Sequence, residues 1–210
     1  VLKSRLVRVE NESEGLYSFS HKAIADFLGA RWIASLPEGE HARLLSRRIS
    51  SLLHSNQVVP SNLRGLNSWI PHFCSDGFLD DQALKNDPYG VLLYGETSQL
   101  TDNQVLNLWL KLKELADRNP SFRDSWRDGL SLHGLARMTM LEEYRLVLRD
   151  PSFGYQLRTL VGEIACTGDF AKHLAKEFTE ILGDKSQTFV ERRGAAMALL
   201  SLEKFDCEDA

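Results

Sequence analysis

A change of hydrophobic period at Ser20 divides this 210-residue chain. Before Ser20, the short β-prone runs 6–9 and 16–19 are joined by a polar turn that ends in Gly15, which predicts a β-hairpin. From Gly39 onward, apolar residues recur almost throughout with the 3.6-residue period of helices. The sequence therefore predicts a mainly α fold, in which a short N-terminal hairpin precedes a helical bundle that runs into α-solenoid repeats.

The first predicted helix follows the hairpin directly and covers residues 21–35. Its apolar positions share helical spacing: Ile24, Phe27, Leu28 and Trp32. Ser20 is placed to cap the first turn, and Pro37 lies just past the end. A hairpin that runs into a helix is the form of the wing in a winged-helix domain. Because an isolated hairpin is marginal in water and the chain begins at Val1, we interpret it as a fragment of a longer protein.

Further helices are predicted along the rest of the chain. They cover about 41–54, a stretch after Ser61, 80–85, 88–94, 101–118, 135–149, 157–164, 170–183 and 188–200. Their start signals are Asp87-Pro88, Thr101-x-x-Gln104 and Thr188-x-x-Glu191. Pro71 predicts a kink or break in the helix after Ser61. Two predicted buried stripes are Leu45, Ile49, Leu52 and Leu53 in helix 41–54, and Phe189, Ala196, Met197 and Leu200 in the last helix.

The C-terminal helices resemble HEAT-like repeats, and the small residues Gly194-Ala195-Ala196 are typical of the second helix of such a repeat. The sequence shows no strict internal period, and a regular array would need at least three repeats. We therefore expect a truncated array, whose last helix exposes an apolar face that the next repeat would cover. The predicted divisions are 1–36 for the end of a winged helix, 37–150 for a helical linker and 151–210 for the repeats.

Residues 17–32 carry a more specific pattern. Phe19-x-His21, followed by Asp26-Phe27-Leu28-Gly29-Ala30, resembles the signature at the end of the winged-helix segment in STAND NTPases of the NACHT type. In that family the matching histidine lies against the β-phosphate of ADP and helps to hold the closed state. The resemblance implies that His21 is a nucleotide contact in the full-length protein, where an imidazole at a helix N-terminus can donate to a phosphate oxygen. Gly29 departs from the usual alanine, which suggests close helix contact.

The resemblance implies a regulatory or sensor region that follows an ATPase core, with ADP or ATP and Mg²⁺ bound by the parent protein and antiphage defence as one setting. The expected partners are the upstream ATPase domain and an unknown protein or ligand trigger. This chain itself has no G-x-x-x-x-G-K-[ST] loop, so we expect it to be non-catalytic. For His21, the alternative is an exposed histidine in a first helical turn.

Two other functions remain open at this stage. One is an independent HEAT-like scaffold that binds a protein or peptide and needs no nucleotide. The other is a HEAT-like nucleic-acid repair enzyme, which the net charge of −4 disfavours. The cysteines Cys74, Cys166 and Cys207 are odd in number and far apart, so free thiols in a cytoplasmic protein are expected. Neither a membrane span nor a signal segment is predicted.

Other candidate sites have simpler structural interpretations. His72-Phe73-Cys74 lacks further ligands with zinc spacing, and Asp80-Asp81 is predicted to lie in a helix rather than at the end of a Walker B strand. The four tryptophans are Trp32, Trp69, Trp109 and Trp126; they could stack on nucleobases, but three of them lie in apolar helical stripes. The basic residues Lys22, Arg31, Arg43, Arg47 and Arg48 could form a phosphate-binding face or a solvated helix surface.

Overall fold

The computed structural model describes residues 7–11, 13, 16–36, 40–54, 58–74, 77–123, 129–167 and 170–206. These residues are mostly helical, which confirms the predicted fold class. The predicted hairpin is also present, since strand β1 (Val7–Asn11) pairs antiparallel with strand β2 (Leu16–Phe19). Trp126 and Cys207 lie outside the described residues.

Two compact units make up the chain, Val1–Gly95 and Glu96–Ala210. The boundary falls inside the segment 37–150 that was predicted as one linker region. The predicted division into three parts stays a prediction.

Five helices follow the hairpin within the described part of the first unit: α1 (Lys22–Ala34), α2 (Glu40–Leu53), α3 (Arg64–Phe73), α4 (Gly77–Asn86) and α5 (Pro88–Tyr94). Helix α3 is central, because α1, α4 and α5 all pack against it. The core consists of small and branched residues from several helices: Ala30, Ile33, Leu53, Ile70, Leu79 and Ala83. Asp87 caps α5 as predicted, since its side chain accepts a hydrogen bond from the Gly90 N–H.

The predicted buried faces of the first two helices are partly wrong. In α1, Trp32 is 60% exposed and Leu28 37% exposed, whereas Ala30 and Ile33 are buried. Both apolar and charged residues are distributed around all sides of this helix, so helical spacing could not identify the side that packs. In α2, Leu53 is buried but Leu45 and Leu52 are exposed.

Three predicted helix boundaries also need correction. Ser20 does not cap α1, because the N-cap residue is His21. Ser61 begins a short 3₁₀ helix, Ser61–Leu63, and Leu63 is the N-cap of α3. Helix α3 runs through Pro71 and ends at Phe73, soon after the predicted break. A proline near the end of a helix removes a single hydrogen bond, so the final turn can persist.

The described part of the second unit contains α6 (Asp102–Arg118), α7 (Leu141–Arg149), α8 (Tyr155–Ala165), α9 (Ala175–Gly183) and α10 (Phe189–Asp206). The predicted capping box of α6 is confirmed, with Thr101 and Gln104 bonded reciprocally. The single helix predicted at 135–149 is instead two short 3₁₀ segments followed by α7. Between the two 3₁₀ segments the backbone is extended at Arg137. The guanidinium of Arg137 holds it there by donating to the carbonyl oxygens of Gly134 and Leu100.

The structure reveals a 34-residue repeat that the sequence did not show. Helices α7 and α9 begin and end 34 residues apart, as Leu141–Arg149 and Ala175–Gly183. Each ends in the same turn, in which Asp150 or Asp184 accepts a hydrogen bond of 2.9 Å from the backbone N–H of the serine two residues later. Helices α8 and α10 then begin 34 residues apart, at Tyr155 and Phe189.

The two helix pairs, α7/α8 and α9/α10, stack on each other. Helix α7 packs against α9, and α8 packs against α10. Glycines bring the second helices close, since a Cβ built on Gly162 would lie 3.6 Å from the carbonyl oxygen of Gly194. The buried ring of Tyr144 in α7 contacts Trp109 and Phe170 edge-on, with centroid distances of 4.8 and 5.9 Å.

The predicted buried stripe of α10 lies on the wrong side. Phe189, Met197 and Leu200 are 70%, 56% and 52% exposed. Ala195 and Ala198 are buried instead, where they let α10 approach its neighbours closely. Large residues on this helix therefore face outward.

Candidate functional site

His21 lies where the hairpin gives way to α1. It is the N-cap residue, with extended backbone angles of φ −125° and ψ 119°. Its carbonyl oxygen accepts the N–H groups of Ile24 and Ala25 at 3.1 and 3.2 Å, but its imidazole makes no capping hydrogen bond. The side chain is exposed. The imidazole is therefore accessible at the positive end of a helix.

The first turn of α1 also carries a cation. Lys22 is exposed, and its Nζ lies 2.5 Å from Oδ2 of Asp26 one turn later. The first N–H groups of a helix lack intrahelical acceptors, so an anion placed there gains backbone hydrogen bonds. The helix N-terminus and the exposed His21 imidazole are thus groups that can bind an anion, whereas the Lys22 ammonium is already paired with Asp26.

Three residues of the motif, Asp26, Phe27 and Gly29, pack against α3. A Cβ built on Gly65 would lie only 2.1 Å from Oδ2 of Asp26, and one on Gly29 would lie 3.0 Å from Cδ1 of Leu66. The close helix contact expected at Gly29 is thus present. Phe27 packs edge-on against Trp69 and Phe73. These side chains fix α1 on α3 and so determine where His21 lies on the first unit.

A buried polar network, missed in the sequence, joins three helices of the same unit. Nε2 of His54 lies 2.8 Å from Oδ1 of Asn67, and its Nδ1 lies 3.1 Å from Oγ of Ser50. Asn67 is fully buried and donates to the carbonyl oxygen of Ala83 at 3.2 Å. Burial lowers the pKa of His54, while the hydrogen bond that its Nε2 donates to Oδ1 of Asn67 acts in the opposite direction. Every contact is internal, so the network is structural.

A second internal cluster surrounds the N-terminus of α5. Arg64 donates from Nε and Nη2 to the two carboxylate oxygens of Asp87, at 2.7 and 3.0 Å. The same carboxylate caps Gly90, and the Arg64 guanidinium lies 5.5 Å from the centre of the Tyr94 ring. This two-bonded charge pair is thus used within the fold.

The other sequence candidates have ordinary structural positions. Asp80 and Asp81 lie in α4, and no group of three metal-ligating side chains is found among the described residues. Trp109 is fully buried, as expected of a core residue, but Trp32 is largely exposed and so is not core.

The basic candidates lie on two helices. Arg31, Arg47 and Arg48 are exposed, and the side chain of Arg43 lies outside the described residues. The structure does not assign them a ligand, and both sequence interpretations remain.

A second surface feature belongs to the repeat unit. An open groove of about 260 Å³ runs along the line where α8 and α10 meet and is lined by Glu163, Cys166, Val190, Arg193 and Met197 among others. Burial raises the pKa of the Cys166 thiol, so this cysteine is not an activated nucleophile. The groove combines apolar walls with one acidic and one basic group, which suits a peptide better than a small anion.

Comparison of the chain with known protein families, curated proteins and solved structures gave no match. Within the described residues, every helix is too short or too polar to cross a bilayer.

Proposed function

We propose that this chain is the non-catalytic regulatory region of a NACHT-like STAND signalling NTPase. In this proposal, the stacked helix pairs receive a protein or ligand trigger and transmit its binding to a separate ATPase core. The core binds ADP or ATP with Mg²⁺, and the protein acts in the cytoplasm, with antiphage defence as one setting. The position of His21 carries the proposal: an exposed imidazole lies at the N-cap of a helix that directly follows a β-hairpin.

Two features support a switch rather than a fixed contact. His21 makes no capping hydrogen bond, so its imidazole can bind a phosphate oxygen without first breaking an internal bond. The signature residues behind it are packed on α3, so movement of the first unit would carry His21 with it. A trigger that binds one state of the array better than the other would then change how well ADP is held.

The direct test is nucleotide retention in the full-length parent, purified without added nucleotide, denatured and assayed for what it releases. Stoichiometric ADP supports the proposal. Absence of nucleotide, together with absence of a phosphate-binding loop upstream, overturns it.

Replacing His21 by alanine in that parent should weaken ADP retention and raise basal signalling, because the mutant loses one donor to the β-phosphate. The matched control is His133→Ala, at a second exposed histidine, which begins a 3₁₀ helix. It should leave ADP retention and basal signalling unchanged. Thermal unfolding of the 210-residue chain should be unaffected by either substitution. Unaltered ADP retention in His21→Ala would remove His21 from the switch.

A second candidate is an independent scaffold for protein–protein interaction. The groove between α8 and α10 favours it, because this groove could bind a peptide without any nucleotide. A parent protein without nucleotide, in which Met197→Glu abolishes partner binding, would favour the scaffold.

A further inference from the structure

We draw no further inference here: the strongest candidate, the exposed leucine patch of α2 formed by Leu44, Leu45 and Leu52, is an unpartnered helix surface, and nothing in the described part of the structure shows what covers it.

Discussion

The helix pairs α7/α8 and α9/α10 have the same design but different surroundings. Both are built from helices of equal spacing joined by an aspartate–serine turn, and both carry an arginine at the fourth position of the second helix. In the first pair this arginine is buried in an ion pair, whereas in the second pair it has no described partner. The comparison shows that position in the stack, more than residue type, determines whether a side chain is buried and paired.

The largest expected difference is at the arginines. Arg158→Leu should reduce the free energy of unfolding by about 4 kcal/mol, because it leaves the carboxylate of Glu191 buried without its cation. Arg192→Leu should change it by less than about 0.5 kcal/mol. Urea unfolding of both variants checks the contrast. Similar losses would show that the two arginines have equivalent roles.

The second-largest difference in stability is expected between the leucines at the ends of α7 and α9. Leu148→Ala removes a side chain that is 3% exposed and should cost about 3 kcal/mol through lost burial and the cavity left behind. Leu182→Ala removes a side chain that is 42% exposed and should cost less than about 1 kcal/mol. Thermal unfolding monitored by circular dichroism measures both. A larger loss for Leu182 would contradict its exposed position.

A smaller effect is expected where the pairs differ by one hydroxyl. Tyr144 donates to the carbonyl oxygen of Leu135 at 2.8 Å, and Phe178 fills the equivalent buried position without a hydroxyl. Tyr144→Phe should therefore keep the ring packing, lose the hydrogen bond and cost about 1 kcal/mol. Tyr94→Phe, at an exposed tyrosine, is the control and should be neutral in the same urea titration.

The aspartate–serine turns that follow α7 and α9 should make the smallest contributions to stability, and the two contributions should be similar. Hydrogen bonds from Gln187 and Ser186 lower the pKa of Asp184 to about 2, and hydrogen bonds from Ser152 lower the pKa of Asp150. Each folded pKa lies below the unfolded value. The stabilisation of the fold by each carboxylate is therefore complete above about pH 4 and, for Asp184, is lost as pH falls towards 2.

Asp184→Asn and Asp150→Asn should each flatten the decline of the urea midpoint between pH 5 and pH 3. Asp117→Asn, an exposed aspartate on α6, serves as the control. A variant whose decline matches the unsubstituted protein would show that its turn does not stabilise the fold through this carboxylate.

Local signals in the sequence predicted most helix positions correctly. The capping pairs Thr101/Gln104 and Thr188/Glu191 form as predicted, because they depend on residues only three apart. The 34-residue repeat was not visible, because it is carried by turn geometry and a few buried positions rather than by repeated letters. The motif singled out His21 as a candidate contact, which stays a prediction, but its position as N-cap in place of Ser20 required backbone angles.

The sequence by itself determined that this chain is mainly helical, where most helices begin and end, and that a hairpin leads into the first helix. These features follow from hydrophobic period and short-range capping, which neighbouring residues specify. Only the tertiary structure decided which side of each helix is buried, as the exposed Trp32, Met197 and Leu200 show. Burial depends on the helix that packs opposite, and close packing at Gly29, Gly162 and Gly194 selects that side through small residues that carry little hydrophobic signal.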